Sequence, residues 1–210
     1  MKIVISFTKT LLVLCAVVSI AFYPAYVRAS VYGDTYYTYT CVDGEGYLHG
    51  LGIAVTNDLP VVFNIRNAMW YVSSSLSYGQ KDANRPWNTS RLLLPVTAGL
   101  YSEYTFSSYP FKVDGGAGCG AVYIRKYKPK HYGPYMDFSQ TEVHNAIGPR
   151  IEAIMGIGYI ITQKTSFFIK AGYQLSWYDA QYIEKNTSGY MIHCGLQWTL
   201  QGTNKGLFDE

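Results

Sequence analysis

Between Ser166 and Leu200 the chain alternates apolar with polar or small residues almost without interruption. Phe167, Ile169, Ala171, Tyr173, Leu175 and Trp177 make one set; Phe168, Lys170, Gly172, Gln174, Ser176 and Tyr178 make the other, mostly polar or small. After a polar break at 184–188, Tyr190, Ile192, Cys194, Leu196, Trp198 and Leu200 stand against Met191, His193, Gly195, Gln197 and Thr199. Successive side chains of a strand point to opposite faces, so a period of two sustained this long specifies β-strand. Each strand is long enough to cross a bilayer, which takes about 9–11 tilted residues. The pattern therefore predicts lipid on one face and a packed or wet lumen on the other.

Six further stretches repeat it. Residues 31–42 are rich in Tyr, Thr and Val and predict a first strand, although their alternation is poor. Tyr47, Leu51, Ile53 and Val55 alternate with Leu48, Gly50, Gly52 and Ala54. A third strand lies within 61–79, where Trp70, Val72, Leu76 and Tyr78 oppose Tyr71, Ser73, Ser75 and Ser77. In the fourth, Leu92, Leu94, Val96, Ala98, Leu100 and Tyr104 share a face; Pro95, which donates no ladder hydrogen bond, predicts a bulge there. The fifth places Phe111, Val113, Ala117, Cys119, Ala121 and Tyr123 outward, and the sixth does so with Ile147, Ile151, Ala153, Met155, Ile157, Tyr159 and Ile161. Tight connections are expected at 57–60, 107–110 and 162–165. Longer ones are expected at 80–90, 128–142 and 183–188, and the 128–142 loop contains Pro129, Gly133 and Pro134.

Eight strands make the smallest closed transmembrane barrel. The fold class is thus all-β, an eight-stranded antiparallel transmembrane β-barrel over residues 30–200, followed by a short polar tail at 201–210. Charged residues are only 15% and Tyr numbers 21, as suits a lipid-facing surface spread over alternate residues and flanked by aromatic girdles. A soluble barrel would wet its outer face and be richer there in Lys, Glu and Thr.

Residues 1–29 read as a secretory signal peptide cleaved after Ala29: Lys2 and Lys9, an apolar core from Leu11 to Phe22, Pro24, then Val27-Arg28-Ala29. An uncleaved anchor would need a core of about 20 residues. A lipoprotein cut before Cys15 would need a small residue at Leu14. Lys2, Lys9 and Arg28 account for the whole formal charge of +3, since the 17 basic residues less these three equal the 14 acidic ones. A neutral mature chain argues against nucleic acid as a partner. Cys41, Cys119 and Cys194 remain after cleavage, an odd number with no zinc-like spacing, and neither metal nor cofactor is expected. If Val31 lies near Leu200, Cys41 and Cys194 come within a few residues on one face, and a cross-strand disulfide becomes conceivable. Asn88-Thr89-Ser90 and Asn186-Thr187-Ser188 match glycosylation acceptors but read as turn residues.

Leu94-Pro95-Val96-Thr97, then Tyr101 to Phe106, a turn, and Gly115-Gly116-Ala117-Gly118-Cys119-Gly120 with Tyr123 resemble the repeated hairpin of small eight-stranded bacterial outer-membrane proteins. The OmpW-like and OmpA-like barrels are the families it is similar to. The resemblance covers 91–200 well and 30–90 poorly. It implies residence in the outer membrane, with outer-membrane lipid, including a lipopolysaccharide-type leaflet, and the barrel-insertion machinery as partners. His193, Gly195, Trp198 and Leu200 are similar to the last-strand insertion signal of such barrels. Departures from the families' pattern are that no peptidoglycan-binding domain is expected within these residues, that the OmpW-type opening motif is not seen, and that ten residues follow Leu200 where such barrels end on an aromatic residue.

Inward-facing positions hold Glu103, Lys112, Asp114, Arg150, Glu152, Lys170, Gln174 and His193, the candidate lumen-lining set. Buried charges need partners or water. With the 107–110 turn as centre, Glu103 falls opposite Asp114 and diagonal to Lys112. Two uses follow: an interior ion network that fills a narrow barrel, or a polar constriction passing small solutes in a porin-like role. The 128–142 loop, with Lys128, Lys130, His131, Tyr132, Tyr135, Met136 and Phe138, mixes cations and aromatics as interaction surfaces do, so adhesion or partner binding is the alternative. Ser139, Glu142 and His144 are the one conceivable nucleophile–base–orienter set, for a lipid-modifying enzyme. No enzymatic activity is expected.

Overall fold

The computed structural model describes residues 31–42, 46–58, 68–80, 90–132, 135–179, 183 and 188–201, with side chains except at 80, 129–132, 135–140 and 201. The expected leader, the tail beyond Gln201, Asn88 and Asn186 lie outside the described residues. Eight strands follow in order: β1 (Val31–Val42), β2 (Gly46–Asp58), β3 (Ala68–Gln80), β4 (Ser90–Thr105), β5 (Phe111–Tyr132), β6 (Tyr135–Thr162), β7 (Thr165–Ser176) and β8 (Gly189–Gln201). Each pairs antiparallel with the next, and β8 returns to β1, so the sheet is a closed barrel in sequence order. Closure leaves no strand edge within the wall, the requirement for crossing lipid with sheet.

The alternation sorts the side chains by face. Outward, Leu51 is 72% exposed, Met155 71% and Ile157 58%; inward, Lys112 is 1%, Glu152 3% and Gln174 2%. Apolar residues outside and charged ones inside reverse the arrangement of a water-soluble domain. β1 follows the same rule: Tyr32, Asp34, Tyr36, Thr38, Thr40 and Val42 are all buried and their neighbours are not.

Three expectations, two about connections and one about a strand, are corrected. The segment 128–142 is not a loop. β5 runs on to Tyr132 and β6 begins at Tyr135, with Lys130↔Asp137, His131↔Met136 and Tyr132↔Tyr135 paired, so the two strands form a ribbon rising past their neighbours. A register shift between Pro129 and Lys130 accommodates the proline. The bulge expected at Pro95 is absent. Pairing of β3 with β4 lapses between Ser74↔Val96 and Ser77↔Leu93 but resumes in unchanged register, while Pro95↔Val122 pairs normally on the other side. The missing N–H therefore costs ladder bonds on one seam only, and the Ser74 hydroxyl donates to the Pro95 carbonyl at 3.0 Å. Thirdly, β2 continues to Asp58 and β3 starts at Ala68, so 57–60 is not a tight turn.

The turns at 106–110 and 163–164 are tight. Phe106 N donates to Phe111 O at 3.1 Å, and Lys164 N donates to the Thr162 hydroxyl at 3.1 Å. At the start of β2, Gly46 takes φ 91°, a left-handed value that glycine adopts without a Cβ clash.

Candidate functional site: the barrel interior

Two apolar clusters and a set of charged residues fill the barrel interior. Towards the ribbon end, Val42, Leu48, Leu93, Val122 and Ile124 pack together with Tyr178 and Ile183, which follow β7. At the opposite end Tyr32, Met69, Tyr71 and Tyr101 form a second apolar cluster. Arg150, Glu152 and Lys170 lie between the two clusters, whereas Glu103 and Lys112 stand beside the second, at the 106–110 turn.

The cross-strand register assembles the charges. Glu103 stands opposite Asp114 across β4–β5. Lys112 Nζ meets Glu103 Oε2 at 2.8 Å and also bonds the Gln197 side-chain carbonyl. Lys170 Nζ lies 3.4 Å from Asp34 Oδ2 and 4.0 Å from Asp114 Oδ2, with the Phe168 and Tyr101 rings at 4.4 and 4.7 Å. Arg150 donates to Glu152 Oε2 from Nη2 at 2.7 Å and from Nε at 3.1 Å, and Tyr71 OH donates to Glu152 Oε1 at 3.0 Å. His193 is 9% exposed and stacks on Tyr36, ring centroids 4.5 Å apart. Glycines make room for the long stems: a Cβ on Gly156 would stand 2.6 Å from Lys170 Cγ, and one on Gly158 would stand 2.8 Å from Lys112 Cε.

Asp34, Tyr36, Tyr71 and Tyr101 belong to this network and were not among the residues singled out by sequence. Tyr71 and Tyr101 were legible as inward positions of their strands; Asp34 and Tyr36 were hidden by the mixed pattern of β1. A cavity lined by Asp34, Tyr71, Tyr101, Glu152, Lys170 and His193 has space for about one water molecule.

The remaining candidates are placed as follows. Gly195 sits inward against Thr35 and Tyr36, where a Cβ would come within 2.7 Å of the Tyr36 Cα and Cβ. Trp198 and Leu200 face outward near the end remote from the ribbon, Leu200 66% exposed. Glu142 and His144 lie two residues apart on β6 with Oε2 and Nε2 3.5 Å apart; the Ser139 side chain is outside the described set. Cys41 pairs across the β1–β8 seam with Tyr190, whereas Cys194 pairs with Tyr37, an offset of four residues or roughly 13 Å. Both are free thiols, and the conceived disulfide does not form.

No protein-family profile matches the chain and no curated protein matches it. Solved structures do. Neisserial surface protein A superposes with a TM-score of 0.52 at 12% identity, over 82% of this chain and 97% of that one. Ail, the attachment invasion locus protein of Yersinia pestis, solved with the heparin analogue sucrose octasulfate, gives 0.46 at 13% identity, over 81% and 97%. The N-terminal β-barrel domain of Pseudomonas aeruginosa OprF gives 0.36 at 15% identity, over 81% and 96%. The fold is that of the small eight-stranded outer-membrane barrels.

Proposed function

We propose that this chain is an exported protein of the bacterial outer membrane, cleaved after Ala29, whose barrel is a sealed membrane anchor. The observation that carries this reading is the reversal of faces: outward Leu51, Ile53, Leu100, Met155 and Ile157 each more than half exposed, and inward Asp34, Lys112, Arg150, Glu152 and Lys170 all buried. Water would penalise that outer surface, and lipid is the solvent it matches. Dimensions agree. On β8 the rise from Tyr190 to Trp198, and on β4 that from Leu94 to Tyr104, come to roughly 20 and 26 Å at about 3.4 Å per residue and a tilt of about 40°. The lipid-facing band of such barrels is about 25 Å tall. Both chain ends then face the periplasm, and the ribbon faces outward. His193, Gly195, Trp198 and Leu200 are proposed as the insertion signal, and outer-membrane lipid and the insertion machinery as partners.

Buried ion pairs packed together with two apolar clusters favour the filling role over the porin-like one for Glu103, Lys112, Asp114, Arg150, Glu152, Lys170 and His193. In planar bilayers, purified protein that shows the gel-mobility difference between unboiled and boiled samples is expected to give no unitary currents. Stepwise currents that change with Lys112→Gln would overturn the sealed reading.

The ribbon favours one addition, surface recognition. Paired strands projecting past their neighbours give a stiff platform where a loop would lose entropy on binding. Replacing 129–140 with a short Gly-containing turn is expected to leave the gel-mobility shift intact and reduce attachment of expressing cells to their target surfaces. Unchanged attachment would remove this role.

A further inference from the structure

Among the strand residues whose side chains are described, the outward face carries a single Lys, Arg, Asp or Glu: Arg125. Its neighbours fix its side. Val122 and Ile124 are fully buried in the interior cluster, so Tyr123, Arg125 and Tyr127 point away from it. Its height is equally defined. Tyr123 pairs with Leu94 and Ile147 in the apolar band, and Arg125 pairs with Leu92 and Asn145 one step nearer the ribbon. The guanidinium therefore emerges at the outer boundary of the band, beside the aromatic girdle.

Its surroundings are built to present it. The guanidinium carbon lies 5.1 Å from the Tyr127 ring centroid, so the planar head is backed by an aromatic face. Tyr123 OH donates to Asn145 Oδ1 at 2.9 Å, which fixes the amide and turns its NH₂ group free to donate. The Arg125 Nε is shielded and has no hydrogen-bond partner among the described residues. A charged donor fork and an amide donor thus meet on a lipid-facing wall otherwise free of formal charge. The anions at that depth of a leaflet are lipid phosphates, whose oxygens match a guanidinium in bidentate geometry.

We infer that Arg125, with Asn145 beside it, is a binding site for the phosphate of an outer-leaflet lipid headgroup. The inference rests on the membrane reading above and adds a named lipid contact to it. The site lies outside the barrel and owes nothing to the interior network.

The test uses the full chain, extracted in mild detergent and reconstituted in nanodiscs of phosphatidylglycerol or of an uncharged, phosphate-free glycolipid. Lipid retained on release is counted by native mass spectrometry. The expected result is retained phosphatidylglycerol on the unaltered protein, no comparable retention of the glycolipid, and a fall on the order of tenfold in Arg125→Gln, the scale of one charge-assisted contact. Arg125→Lys is expected to keep part of the retention, and Lys164→Gln, at the opposite end, all of it. Equal retention by Arg125→Gln in correctly inserted protein would overturn this inference alone. Failure of the unaltered chain to insert would overturn the membrane reading and this inference with it. Displacement of bound lipid by millimolar inorganic phosphate would also overturn it, because the site would then be a general anion site.

Discussion

Replacing Arg150 with Ala is expected to lower the free energy of unfolding by about 3–5 kcal/mol. Glu152 is 3% exposed, and two of its three charge-assisted or hydroxyl contacts come from Arg150. Without the guanidinium the buried carboxylate keeps only the Tyr71 hydroxyl. A buried charge robbed of its counter-ion costs far more than an exposed pair ever contributes, because nothing replaces the lost solvation. Urea unfolding in micelles, followed by tryptophan fluorescence, measures the effect. The double variant Arg150→Met with Glu152→Leu is expected to recover most of the loss, since an apolar pair of similar volume leaves no charge behind. A loss below about 1 kcal/mol in the single variant would mean that water reaches Glu152, contrary to a sealed interior.

Introducing Arg at Met155 is expected to cost about 2–4 kcal/mol in a bilayer. Met155 is 71% exposed and lies on the outward face of β6, between Gly115 of β5 and Ala171 of β7. On a water-facing wall such an exposed substitution would stay within about 0.5 kcal/mol. The two solvents thus predict different outcomes for one change, and Met155→Leu serves as the apolar control. Reversible unfolding from liposomes reads the difference, and a cost within the aqueous range would remove lipid as the surrounding medium.

The alternation in β2 to β8 was legible because their two faces meet different solvents and so draw on different residues. β7 is the clearest case: Phe167, Ile169 and Leu175 outside, Lys170, Gln174 and Ser176 inside. β1 resisted because Tyr and Thr appear on both of its faces, Thr35, Tyr37 and Tyr39 outward against Tyr36, Thr38 and Thr40 inward. Amphipathic side chains serve a lipid boundary and a packed interior equally well. That ambiguity concealed Asp34, whose role depends on meeting Lys170 from the far side of the chain, a contact that no local pattern encodes.

The ribbon was obscured for a different reason. Pro129, Gly133 and Pro134 are the residues by which turns announce themselves, and above the membrane a strand has no lipid to impose a period of two. Pro95 misled in the opposite direction. A missing donor can be absorbed by a lapse of pairing on one seam, without an inserted residue, when the neighbouring ladder with β5 continues unbroken.

The β1–β8 seam joins Val31 to Gln201, the two extremes of the described chain. No subset of the polypeptide completes this wall, so folding cannot be finished progressively along the chain: it must wait for the final strand. Until then seven strands present half-apolar faces and an open edge, which is the state most prone to mispairing. Contacts this distant in sequence also make closure intrinsically slow. The step that brings β8 to β1, more than the formation of any one hairpin, therefore sets how fast the barrel forms.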